Sequence, residues 1–310
     1  MIPEGAKNLL PGKRASPGPQ APLGWSSPMD RGKKMNLWFS ELQTKNVMLS
    51  LAATKLLHLE KTSYQEVAVI ENPELGRVLL LDSVIQTSTR DEFVYHEMIT
   101  HVPMNTHPQP RKVLVIGGGD GGTVREIVKH PTVESVTLAE IDDRVIWAAR
   151  EYLPEISVAL GDPRVEIHVG DGNVFVRENE NTFDLIIVDS TDPVGPGEVL
   201  FSRDFYSAVS RALKEDGLFV AQTESPFYNA DLIGRVKKDL SAIFPVTRLY
   251  LATVPTYPGG LWSFSLGSKK HDPLELEEKD FRPCTTRYYS PQVHLAAFAL
   301  PPFLRKIVGA

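Results

Sequence analysis

At 310 residues, with 42% hydrophobic and 23% charged content, the chain is long enough to bury a large core, and a soluble globular protein is expected. Its formal net charge of −6 gives no electrostatic reason to expect nucleic acid or an anionic membrane as partner, and suits a cationic ligand instead. The single cysteine, Cys284, excludes an internal disulfide and leaves no cluster of thiols for a metal, so no metal site is expected and a reducing cytoplasm is the default.

Residues 1–34 contain six prolines and five glycines among scattered charges, and no apolar run there has the length of a secretory core or a membrane span. Such a segment cannot bury enough surface to offset its ordering entropy, so a disordered extension is expected, with the folded protein starting at Met35. From 35 to 106 the pattern is extended. The runs NVMLSLAATKLLHLE, SYQEVAVIEN and GRVLLLDSVIQT are β-rich and separated by turn formers, which predicts a small antiparallel β domain. The stretch DEFVYHEMITHVPM then spaces Phe93, Met98 and Val102 as a helix does, and Pro103 is expected to end that helix.

From 107 to 310 the rhythm becomes strand then helix, repeated, with strands predicted at 112–116, 135–140, 164–169, 184–189, 217–222 and 246–253. This alternation predicts a Rossmann-like parallel sheet covered on both faces. Ligands of such sheets bind beyond the carboxyl ends of the strands, so each strand end is a candidate site.

The first strand runs into GGGDGG, which holds the G-x-G-x-x-G spacing at Gly117, Gly119 and Gly122. Small residues let the backbone approach a nucleoside or phosphate closely, although NAD enzymes share the spacing and a tight turn alone would satisfy it. The second strand ends at Glu140, where a carboxylate accepts from two ribose hydroxyls. The third ends at Asp171 and Gly172, suited to an adenine edge or to a plain Asp-Gly turn. The fourth, FDLIIVDSTDPVGPGE, carries Asp189 and Asp192 in one turn at the mouth of the sheet. Two carboxylates this close repel unless a cation lies between them.

These stretches, together with SYQE, LDSVIQTSTRDEFVYHEMITHVP, LWFSE, PTYPGG and RYYSPQVHLAAFALP, resemble the spermidine synthase family of polyamine aminopropyltransferases, from about residue 37 to the C-terminus. The resemblance implies an S-adenosylmethionine-type fold and transfer of an aminopropyl group from decarboxylated S-adenosylmethionine to putrescine, giving spermidine and methylthioadenosine. Asp189 is then the base, flanked by the hydroxyls of Tyr95 and Tyr257. Gln65, Gly117, Gly119, Asp120, Glu140, Asp171, Gly172 and Pro196 hold the donor, while His96, Asp120, Asp189 and Asp192 face the amine. Glu224 carries no assignment, and Tyr64, Trp38 and Trp262 are read as packing residues. The donor is a co-substrate, so no cofactor or metal is implied, and a homodimer or homotetramer is.

The residues make this chemistry reasonable. Asp120 repels the carboxylate of a methyl donor but attracts the ammonium end of a decarboxylated one, and an acidic rim suits a diamine. The competing readings are an aminopropyltransferase for cadaverine, agmatine or spermidine, a methyltransferase, and a catalytically silent binding protein. A methyltransferase usually has an acid entering the glycine loop, where Ile116 stands here, and a silent protein is expected to lack Asp189 or its tyrosines.

Overall fold

The computed structural model describes residues 37–191 and 195–309, apart from the side chains at 195 and 196. The expectations for residues 1–34, for Met35 and for Asp192 lie outside the described residues, as does the side chain of Pro196.

The first six strands form two antiparallel sheets. β1 (Leu37–Thr44) pairs with β2 (Val47–Ala53), and β3 (Lys55–Lys61), β4 (Glu66–Asn72), β5 (Gly76–Leu81) and β6 (Val84–Ser88) form a four-stranded meander. The run at 46–60 is therefore two strands in different sheets, broken at Thr54. GRVLLLDSVIQT is also two strands, turned at Asp82 and Ser83, which both adopt positive φ as a two-residue hairpin requires. β4 alternates in two directions: Ala68 and Ile70 join the core shared with β1 and β2, while Val67 and Val69 face α3 (Asp143–Tyr152).

Helix α1 (Glu92–Thr106) follows, buried at every residue except Phe93. It does not stop at Pro103 as expected. The ring occupies the last turn, His107 N–H donates to the Pro103 carbonyl oxygen at 3.0 Å, and the side chains of Asn105 and Thr106 donate to carbonyls one turn back. The enclosing contacts outweigh the one lost backbone bond.

The large sheet has seven strands: β7 (Lys112–Gly117), β8 (Ser135–Glu140), β9 (Val165–Val169), β10 (Phe183–Asp189), β11 (Leu213–Gln222), β12 (Val246–Thr253) and β13 (Leu261–Ser268). Their order across the sheet is β12, β13, β11, β10, β7, β8, β9. The predicted strands are all present, but the sheet is not wholly parallel. β13, which strand-and-helix alternation does not reveal because a turn and not a helix precedes it, runs antiparallel between β11 and β12. Alternate residues of the central strands feed two cores. Val113, Val115, Leu185 and Ile187 pack under α1, and Leu114, Ile116, Ile186 and Val188 lie on the opposite face with α6 (Arg203–Ala212) and α7 (Ala230–Ser241). α2 (Gly122–Ile127), α4 (Pro154–Ser157), α5 (Gly172–Arg177), α8 (Pro291–Ala297) and α9 (Pro302–Val308) complete the α-helices among the described residues.

Strand order reverses between β7 and β10, where connections leave in opposite directions. A crevice opens at such a point in an open α/β sheet.

Candidate active site

A cavity of about 430 Å³ lies at that reversal, with β5 and β6 as its opposite wall. Gln65, Tyr95, His96, Gly117, Gly119, Asp120, Glu140, Asp171, Gly172, Asp189 and Tyr257 all line it. Residues almost two hundred positions apart in the chain thus meet in one enclosure.

Asp189 ends β10, the strand buried along its whole length, and its register partner is Gly117 at the end of β7. The chain leaves β7 with Gly117 and Gly118 at φ +75° and +70°. A Cβ at Gly118 would stand 2.8 Å from Asp189 Oδ2, so glycine serves there both for its conformation and for the closeness of the carboxylate. Tyr95 donates its hydroxyl to Asp189 Oδ1 at 2.7 Å, and Thr123, in the first turn of α2, donates to Oδ2 at 2.6 Å. Burial, and then the nearby charge of Asp120, raise the Asp189 carboxyl above the usual carboxylate range, against the pull of these two hydroxyls. Burial and Asp189 together push the Tyr95 phenol well above its ordinary range, so Tyr95 remains a donor.

Asp120 follows the glycines. Its Oδ1 accepts from Gly122 N–H at 2.7 Å and lies 3.4 Å from His96 Nε2. The other ring nitrogen of His96 is 2.6 Å from Glu92 Oε2, and Arg125 grips Glu92 with two bonds of 2.8 and 3.0 Å. Burial presses the His96 imidazole toward its neutral form, but Asp120 and Glu92 more than reverse this and hold it protonated well above its ordinary range. The fixed charges at this end alternate in sign outward from the cavity, with Asp120 the innermost.

The other end suits a nucleoside. Glu140 ends β8, accepting Gly119 N–H on Oε2 at 3.1 Å and Asp142 N–H on Oε1 at 3.0 Å. Each oxygen keeps lone-pair capacity for a further donor. Burial above all pushes its carboxyl up to about 7. Gln65 donates to Asp142 Oδ2 at 3.1 Å, which ties the four-stranded sheet to the start of α3. Asp171 caps α5 by accepting Asn173 N–H at 2.8 Å, and Gly172 fits against Ile116, whose Cγ2 would lie 2.4 Å from an added Cβ.

Tyr257 lies edge-on to Tyr95, their rings 5.6 Å apart, and its hydroxyl donates to the Gln86 carbonyl oxygen at 2.7 Å. Its loop is pinned by Asp91, whose Oδ2 accepts from Thr256 N–H at 2.7 Å and whose Oδ1 accepts from Ser88. Of the residues read as packing, Trp262 is buried against Tyr257 while lining the cavity, Tyr64 stands half exposed at its rim, and Trp38 is 59% exposed and packs little. Sequence reasoning missed Thr123, Glu92, Arg125 and Asp91. Thr123 offered one signal: it sits in the first turn after the glycine loop, facing the next strand end.

A family model described as a spermine/spermidine synthase domain matches residues 92–278, and one described as a spermidine synthase tetramerisation domain matches 37–89. The chain is 62% identical over 274 residues to a polyamine aminopropyltransferase of Moorella thermoacetica, covering 88% of this chain and 97% of the relative. A crystal structure of spermidine synthase in complex with the transition state analogue AdoDATO superposes with a TM-score of 0.85 at 45% identity, covering 91% of this chain and 98% of that one. Spermidine synthase from Thermotoga maritima gives a TM-score of 0.82 at 43% identity, with 91% and 97% covered.

Proposed function

The chain belongs to the spermine/spermidine synthase family of polyamine aminopropyltransferases, and we propose that it transfers the aminopropyl group of decarboxylated S-adenosylmethionine to putrescine, yielding spermidine and methylthioadenosine. The observation that carries this reading is the buried carboxylate of Asp189, held on both oxygens by hydroxyls and standing beside the glycine loop.

The reaction is a displacement at the carbon next to a sulfonium. The lone pair of a neutral amine nitrogen forms the new carbon–nitrogen bond, the carbon–sulfur pair returns to sulfur, and the nitrogen then has a proton to lose. Asp189 takes that proton and orients the nitrogen; its raised carboxyl makes it a better base than an exposed aspartate. Tyr95 and Thr123 fix the carboxylate in direction, and Tyr257 forms the adjoining wall. Glu140 receives the ribose hydroxyls, with Gln65, Asp171 and Gly172 around the rest of the thioadenosine. Asp120 meets the ammonium of the aminopropyl arm, while Asp192 and His96 act on the amine side. Much of the acceleration comes from holding two reactants in line, since the leaving group is already activated. The chain's acidic balance favours gathering both cationic substrates.

We further propose a homo-oligomer assembled through residues 37–89, the part matched by the tetramerisation model.

The deciding experiment incubates the purified protein with each donor and a panel of putrescine, cadaverine, agmatine and spermidine, and weighs the products. An aminopropyl group added to putrescine, only with the decarboxylated donor, is expected. Addition of a methyl group would refute the reaction, and strong preference for another amine would refute the acceptor.

A further inference from the structure

We propose that His101, His130 and Cys284 form a binding site for one divalent ion of the zinc type, apart from the active-site cavity. The three come from separate parts of the chain: His101 from α1, His130 from the turn after α2, and Cys284 from the segment between β13 and α8. None of them lines the cavity. Both histidines are fully buried and Cys284 is half-buried, so the cluster has one side through which an ion can enter. One ring nitrogen of each histidine and the cysteine Sγ all lie within 4.8 Å of one another.

Zinc takes imidazole nitrogen at about 2.0–2.1 Å and thiolate sulfur at about 2.3 Å in a tetrahedron, which puts donor atoms roughly 3.3–3.6 Å apart. His101 Nδ1 and His130 Nε2 are 2.9 Å apart, so they open by roughly half an ångström around an ion while the sulfur closes in. The outer partner is already in place. His101 Nε2 lies 3.0 Å from Glu126 Oε2, and donation of its N–H to that carboxylate turns a bare Nδ1 toward His130. A carboxylate behind a ligating imidazole is the usual device for fixing its tautomer and aim.

Glu126 itself is occupied by Arg125 Nε at 2.9 Å and Lys129 Nζ at 2.5 Å, so it orients His101 and does not ligate. With no ion bound, the His130 Nε2–H group donates to His101 Nδ1. On binding, that proton moves to the other nitrogen of His130 and the Cys284 thiol proton goes to solvent, one proton released for each ion. Nitrogen and sulfur donors favour zinc-type ions over magnesium or calcium, and a water from the Cys284 side fills the fourth position. The ion would join α1, the end of α2 and the C-terminal segment at one point.

The chain has one cysteine, so any thiolate-to-cobalt charge-transfer absorption must come from Cys284. The test titrates the metal-free, untagged full chain with cobalt(II), then displaces it with zinc, and follows near-ultraviolet absorbance and melting temperature. One equivalent of cobalt with a charge-transfer band is expected, bleached by zinc, with a melting temperature raised by zinc in the wild type but not in Cys284→Ser. His130→Asn should weaken cobalt binding at least tenfold. Absence of the band in the wild type overturns the site outright, a measurement that needs no variant to fold. An unchanged cobalt affinity in folded His130→Asn, or the same zinc-induced rise in melting temperature in Cys284→Ser, overturns the ligand set.

Discussion

The two hydroxyls on Asp189 favour its ionised form, while burial and Asp120 favour the proton. Removing one hydroxyl therefore tips the balance in a known direction. Thr123→Val should move the acid limb of the kcat profile to higher pH and lower kcat on that limb roughly tenfold, because a hydrogen bond to a charged group is worth about 1.5–3 kcal/mol. Thr123→Ser should restore both, and an unshifted acid limb in Thr123→Val would show that the bond does not tune the base. Asp189→Asn should cost about 10²–10⁴-fold in kcat. Methylthioadenosine binding should survive in that variant, and raised pH should rescue part of the rate, since more diamine then arrives with a neutral nitrogen. Near wild-type turnover would remove Asp189 from the mechanism.

Glu140 links binding to stability through the same physics. Its folded carboxyl is raised from 4.5 to about 7, so the folded state holds a proton that the unfolded chain releases, and stability falls as pH rises from the lower value to the upper one. The difference amounts to about 3 kcal/mol at pH 8. Glu140→Gln should therefore resist urea better than wild type at pH 8 and equally at pH 4, while binding methylthioadenosine poorly. In the wild type, calorimetric affinity for methylthioadenosine should strengthen as pH rises through about 7, and a flat profile would contradict an ionised Glu140 as the ribose acceptor. Asp189 and Glu140 were legible in the sequence because a strand end is a readable address. Thr123 and the pair Glu92 and Arg125 were not, because what a hydroxyl or an ion pair touches depends on which elements meet in space.

Among the elements, α1 joins the two halves of the fold. Its sequence shows the helical period, but a helix buried on nearly every side needs polar residues that find internal partners, and here they do, the Thr100 hydroxyl excepted. Glu97 accepts the backbone N–H groups of Arg287, Tyr288 and Tyr289, each at 2.8 Å, and so anchors the RYYSP stretch against the helix. Glu97→Ala should lower unfolding stability on the order of 3 kcal/mol or more by losing three charge-assisted bonds together. A loss below 1 kcal/mol in a urea titration would mean that the C-terminal segment is held by its apolar contacts alone. The period of two and the strand-helix rhythm made six strands of the large sheet readable, whereas β13 escaped because neighbouring antiparallel strands need no helix between them. The helix past Pro103 escaped for a related reason: local propensity yields to tertiary contacts.

Across the molecule, the cavity is a gap between two separately hydrogen-bonded sheets, and the smaller pair leaves apolar surface uncovered. Trp38 and Leu42 on β1 and Met48 on β2 are 59%, 70% and 58% exposed, an arrangement that invites a partner surface. If residues 37–89 assemble the oligomer, Leu42→Glu combined with Met48→Lys should lower the mass seen by light scattering in solution while leaving the fold intact by circular dichroism. An unchanged mass would place the interface elsewhere.

The position of β13 also bears on the order in which a growing chain can complete its sheet. β12 leaves the ribosome before β13, yet its place lies beyond it, so β12 has no native strand partner and no link to the rest of the sheet until β13 follows and pairs with both β12 and β11. During that interval β11 presents an open edge, the kind of surface on which chains pair wrongly. Trp262, part of the cavity wall, lies in this same late strand. A chain halted anywhere before it therefore has both an unfinished pocket and an adhesive flank, so interrupted synthesis would leave waste to be cleared and no partial catalyst.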